Sequence, residues 1–158
     1  MTSKFLFAHQ HRLWSSLLFI ISFLALIFVD FYDFRPEIFD VVVFSPFEKD
    51  HMFSDITGNY WQGNNVLDEI LTIIAIVSGL IWAFSKERIE DEMISELRKQ
   101  SLILSVYINY GFYILATIFV YGMDFLKVLM LNVFTVLIFF LIIFNWKKYQ
   151  LKKSSDEE

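Results

Sequence analysis

The residues best equipped for chemistry in this chain are carboxylates. Glu90, Asp91, Glu92 and Glu96 crowd a charged segment between two apolar runs, and Asp68 with Glu69 open another run. Clustered acids in a helical protein suggest a di-metal centre, which normally takes a Glu-x-x-His pair from each of two helices. The charged segment contains no histidine. Acidic residues at 30, 33, 37, 40, 48, 50 and 55 do not follow the spacing of a calcium loop, and His51 beside Asp50 reads as a surface residue. The chain has no cysteine, which excludes disulfides, thiol redox chemistry and thiolate metal sites. No metal, cofactor or catalytic residue is expected, and the chain reads as non-enzymatic.

These groups are positioned by an apolar frame. Runs over 13–29, 66–84, 102–120 and 129–146 make up about half of the 158 residues, and each approaches the ~20 residues that cross a bilayer's hydrocarbon as a helix. A soluble amphipathic helix keeps a charged face, whereas residues 15–29 and 129–144 carry no charge on any face. The expected fold is all-α: an integral membrane four-helix bundle in one domain, 1–151, with spans at 13–30, 66–84, 101–121 and 125–146. A polar tail, 152–158, is expected to be disordered.

Charge placement orients the spans. Lys4 and Arg12 precede the first; Lys86, Arg88, Arg98 and Lys99 separate the second and third; Lys147, Lys148, Lys152 and Lys153 follow the fourth. The segment between the first two spans offers only Arg35 and Lys49. Lys and Arg near span ends stay cytoplasmic, so both termini are expected inside. Trp14, Trp82 and Trp146 fall at the same inner level and Trp61 at the outer one, as expected of indoles that prefer the headgroup region. The first run continues to Val29 and is followed by Asp30-Phe31-Tyr32-Asp33-Phe34, without the small-residue cleavage site of a signal peptide.

The external loop, 31–65, interleaves acids with aromatic residues, which disordered linkers lack. It is expected to be structured, with 41–44 extended, Ser45-Pro46 ending that stretch, and turns at 57–59 and 62–65. Asp68 and Glu69 form an interfacial acidic pair, where carboxylates in a first helical turn complement the helix dipole. The competing reading gives one of them a proton- or cation-linked step.

The connection at 86–100 is expected to be a cytoplasmic helix continuous with the third span, because Ile89, Met93 and Leu97 recur at helical spacing and Arg88 with Glu92 forms an i,i+4 pair. Glu90, Asp91, Glu92 and Glu96 would then face a cytoplasmic protein partner, with the apolar strip packing below. Deeper in the chain, the short turn at 121–124 makes spans three and four antiparallel. Reflection across it brings Tyr113 to the depth of Asn132 and Asn109 near Thr135, an intramembrane polar layer. The leading functional expectation is recruitment or regulation of a partner through the inner helix. The alternative is a small oligomeric transporter or channel with a polar path through that layer.

Residues 83–94 (Ala-Phe-Ser-Lys-Glu-Arg-Ile-Glu-Asp-Glu-Met-Ile), Leu97-Arg98 and Ser101-Leu102, together with Val106-Tyr107-Ile108-Asn109-Tyr110, Leu131-Asn132-Val133-Phe134-Thr135 and Phe144-Asn145-Trp146, resemble small uncharacterised four-span inner-membrane proteins of Bacteroidetes. The resemblance covers about residues 65–150. It implies a bacterial inner-membrane protein and carries over no activity. The expected partners are the lipid bilayer, a cytoplasmic protein and a second copy of the chain. Nucleic acid is not among them, because the basic cluster at 147–153 is offset by Asp156-Glu157-Glu158.

Overall fold

The structure, a computed structural model, describes residues 6–44 and 61–156. The expected turn at 57–59, the Ser45-Pro46 break and His51 lie outside the described residues. The elements run α1 (His11–Tyr32), a 3-10 turn (Glu37–Phe39), β1 (Asp40–Phe44), β2 (Trp61–Asn65), α2 (Leu67–Ala83), α3 (Glu92–Phe119) and α4 (Met123–Asp156). Helices dominate, and α1, α3 and α4 are long and apolar enough to cross a membrane. The chain divides into two compact units, residues 1–16 with 78–158, and residues 17–77.

In the first unit, α3 and α4 pack along one another as an antiparallel hairpin. Gly122 makes the turn with φ +68°, a left-handed conformation that an L side chain resists. The face that α3 buries consists of Ile94, Arg98, Ser101, Ser105, Asn109 and Ala116, a three- and four-residue spacing that lies along one stripe of a helix. Most of these are small or polar, while Ile103, Ile114 and Ile118 of the same helix are exposed. This inverts the soluble pattern. Small side chains let two backbones approach closely, as in packed membrane helices. Each serine satisfies its hydroxyl on its own helix, Ser101 Oγ donating to the Leu97 carbonyl and Ser105 Oγ to that of Leu102, both at 2.7 Å. From α4, Phe140 is fully buried and stacks between Phe84 and Phe144, with ring centroids 5.7 Å away on each side.

Helix α3 begins at Glu92, not at 86 as its apolar spacing suggests. The Lys86 carbonyl, which would accept the Glu90 N–H in a continuous helix, instead takes a hydrogen bond from His9 Nδ1 at 2.9 Å. The Glu87 N–H goes to the Glu90 carboxylate at 2.9 Å. Asp91 then caps the helix from an extended backbone, its carboxylate accepting the Ile94 N–H at 2.7 Å. At the other end, α4 remains helical to Asp156, which corrects the disordered tail expected from 152. Gln150, Leu151, Lys152 and Lys153 are good helix formers, and the lysines complement the C-terminal dipole.

In the second unit, α1 stops where Asp33 takes φ +47° and the Phe34 N–H reaches back to the Val29 carbonyl at 3.2 Å, the bond of a Schellman closure. An antiparallel ladder follows, pairing Asp40 with Asn65, Val42 with Gly63 and Phe44 with Trp61. Residues 62–65 are therefore strand, not turn. Their Gly and Asn content favours turns, but pairing with Asp40 and the β-branched run Val41-Val42-Val43 holds them in a strand. The strands are short, and the rest of the named elements are helical, as expected of an all-α chain.

Candidate functional site

Arg12, Glu87, Glu90, Arg98 and Lys148 of the first unit converge where the α2–α3 connection meets the N-terminal segment, the start of α3 and the end of α4. Two backbone hydrogen bonds hold the N-terminal segment there, Phe7 N–H to the Phe84 carbonyl and Lys86 N–H to the Phe7 carbonyl, each at 3.0 Å. With the start of the connection tethered, Glu87 and Glu90 turn inward.

Glu90 receives Arg98 in a forked ion pair, Nη1 to Oε1 at 2.6 Å and Nη2 to Oε2 at 3.1 Å. Arg98 Nη2 also approaches the Ser85 carbonyl at 3.3 Å, and its guanidinium lies over the Phe144 ring, 5.2 Å from the centroid. A planar, weakly hydrated guanidinium suits such a place. Its Nε is buried with no hydrogen-bond partner among the described residues.

Glu87 is held by two cations on one oxygen, Oε1, which accepts from Arg12 Nη1 and from Lys148 Nζ, the latter at 3.0 Å. Arg12 Nη2 donates to Asn145 Oδ1 at 3.2 Å. Burial alone would raise the Glu87 pKa; hydrogen bonds and charge from Arg12 and Lys148 outweigh it and hold the carboxyl below its ordinary value of 4.5. Beside this triad is an open recess of about 440 Å³ lined by His9, Gln10, Arg12, Leu13, Glu87 and Lys148.

The four acids expected to face a partner thus separate. Glu90 and Asp91 are engaged within the fold, as ion-pair partner and helix cap. Glu92 and Glu96 are exposed, Glu96 beside Lys99 at 3.4 Å. The apolar strip separates too: Ile94 is buried, but Ile89 and Met93 are 75% and 59% exposed, so they do not pack below the acids.

Along α3 and α4, the Asn109 carboxamide oxygen accepts from Thr135 Oγ1 and from Asn132 Nδ2, the latter at 3.3 Å, and Asn109 is only 3% exposed. Tyr113 lies outside this layer, its ring 6.2 Å from that of Phe125. A one-turn reflection placed Tyr113 at the right depth but could not tell which face it occupies.

In the second unit, Asp68 and Glu69 are exposed in the first turn of α2. Glu69 accepts from Asn64 Nδ2 at 2.8 Å. Asn65 ties the hairpin to the 3-10 turn, donating to Asp40 Oδ1 at 2.6 Å and to the Pro36 carbonyl at 2.9 Å.

The sequence alone does not group Arg12, Glu87, Arg98 and Lys148: the three cations read as markers of topology, and Glu87 carries no signal of its own. One signal was present: 94, 98, 101, 105 and 109 recur at the spacing of a single helix face, which puts Arg98 among residues that must be buried. Nothing in the sequence pairs Glu87 with Arg12 and Lys148, which are 75 and 61 positions away.

Among the described residues, no group of three or more His, Asp or Glu side chains could hold a metal ion. The fold and site define a helical protein with three helices fit to cross a membrane and a charged cluster joining the ends of its helices. No protein-family model, curated protein or solved structure matches the chain.

Proposed function

We propose that this is a non-enzymatic multi-pass protein of a bacterial inner membrane, with four spans and both termini cytoplasmic, that recruits or regulates a cytoplasmic partner at the α2–α3 connection. The fourth span would be α2, whose 17 residues extend about 25 Å, near the lower limit for spanning hydrocarbon. Its Ile73 and Val77 are exposed as lipid-facing residues would be.

The observation that carries the partner reading is a tethered segment with apolar side chains left outside. Ion pairs and backbone bonds hold residues 84–98, yet Ile89 and Met93 remain exposed next to Glu92 and Glu96. Preorganised apolar groups within a polar rim are what a docking surface requires. The transporter alternative has less support, because Asn109, Asn132 and Thr135 satisfy one another between two packed helices.

The test is affinity purification from native membranes in mild detergent, with quantitative mass spectrometry. The double variant Met93→Glu, Glu96→Lys should lose a stoichiometric partner while its membrane insertion is unchanged. Equal recovery of every co-purifying protein with wild type and variant would remove the docking reading.

A further inference from the structure

We propose that the recess lined by His9, Arg12, Leu13, Glu87 and Lys148 seats the phosphate of an anionic phospholipid. The inference rests on the membrane reading above and adds a ligand to it. Arg12 and Lys148 converge on a single carboxylate oxygen of Glu87, so the cluster keeps one positive charge in excess. Glu87 is the one acceptor of Lys148 among the described residues, which leaves two N–H groups on an ammonium that lines the recess.

His9 closes one side of the recess. Its Nδ1 donates to the Lys86 carbonyl at 2.9 Å, which fixes the ring against the α2–α3 connection.

The surroundings favour a lipid over a free ion. Leu13 at the recess is 75% exposed, and the exposed aromatics Trp14, Trp146 and Tyr149 lie within two positions in sequence of Arg12 or Lys148. Amphipathic rings prefer the headgroup level, and basic pockets between helices on the cytoplasmic side take anionic headgroups. A phosphodiester with an apolar continuation can contact Arg12 and Lys148 while its chain runs along Leu13. Glu87 occupies the same cations and is therefore its competitor.

The experiment uses the full chain in mild detergent with equimolar phosphatidylglycerol and phosphatidylcholine, and retained lipid is counted by native mass spectrometry. Phosphatidylglycerol should be retained preferentially. Lys148→Gln should lower its retention about fivefold, one surface charge's worth, while Lys127→Gln, remote from the recess, should leave it unchanged. Glu87→Gln should raise retention, whereas a purely structural Glu87 predicts a fall.

Equal retention of the two lipids, equal effects of Lys148→Gln and Lys127→Gln, or full displacement by millimolar inorganic phosphate would overturn the assignment, the last in favour of a free-phosphate site. If Lys148→Gln does not yield helical protein, the direction of the Glu87→Gln change decides. A protein absent from the membrane fraction would defeat the membrane reading itself. A membrane-embedded protein that does not discriminate the two lipids would defeat only the lipid site.

Discussion

Arg98 and Glu90 form a two-pronged ion pair, 2.6 and 3.1 Å, that folds the α2–α3 connection back onto the first turns of α3. Arg98 is buried and Glu90 mostly so, and removing one member of a buried pair leaves an uncompensated charge, a cost of about 3–5 kcal/mol. Glu90→Ala should therefore destabilise the protein by roughly that amount, reduced toward 2 by Glu90's partial exposure. Combining it with Arg98→Met should restore most of the loss, because the charge and its desolvation disappear together. Thermal unfolding in detergent of the two singles and the double checks this; additive losses would contradict it.

Asn109 shares its carboxamide oxygen with Thr135 and Asn132 between α3 and α4. Interhelical hydrogen bonds between membrane helices are worth about 0.6–2 kcal/mol, so Asn109→Leu should weaken the hairpin by an amount in that range and Thr135→Val by less. A double-mutant cycle should give a coupling energy above about 0.5 kcal/mol. A cycle that closes at zero would mean the contact contributes nothing.

Glu87 provides a pH dependence with a defined sign. Its folded pKa lies below 4.5, so its stabilising effect is complete above that value and is lost as pH falls through the lowered folded value. Unfolding temperature should drop on acidification from about pH 6 to about pH 3, and the part of the drop due to this group should vanish in Glu87→Gln. Identical acid profiles for the two proteins would contradict the role assigned to the triad.

The absence of cysteine makes single introduced thiols free of background. The proposed topology, with both termini cytoplasmic, requires Asp124→Cys at the α3–α4 turn to react with a membrane-impermeant maleimide in intact cells. Lys99→Cys near the start of α3 should react only after permeabilisation. The reverse pattern would invert the topology, and labelling of both in intact cells would remove α3 as a span.

Much of the helical frame was legible in the sequence. Charge-free runs such as 15–29 and 129–144 specify helices whatever they pack against, because their backbone groups must be satisfied internally wherever water is absent. The depth match of Asn109 with Thr135 was also legible, since a short turn sets the register of two antiparallel helices. The direction of each side chain about its helix was not, so depth alone does not exclude Tyr113 from a layer that it does not join.

What the tertiary structure alone decided is how the charges are used. The apolar spacing of Ile89, Met93 and Leu97 is as good a helix signal as any in the chain, yet His9 takes the carbonyl of Lys86 and Asp91 takes the N–H of Ile94, and the helix starts six residues late. Likewise Gln62, Gly63 and Asn64 pair with a valine run about 20 positions earlier instead of turning. Local sequence determined where this chain is apolar and where it is charged, because solvent preference belongs to each residue separately. Which carboxylate meets which cation was decided by the fold, because ion pairs such as Glu87 with Arg12 join residues that only chain folding brings within hydrogen-bond distance.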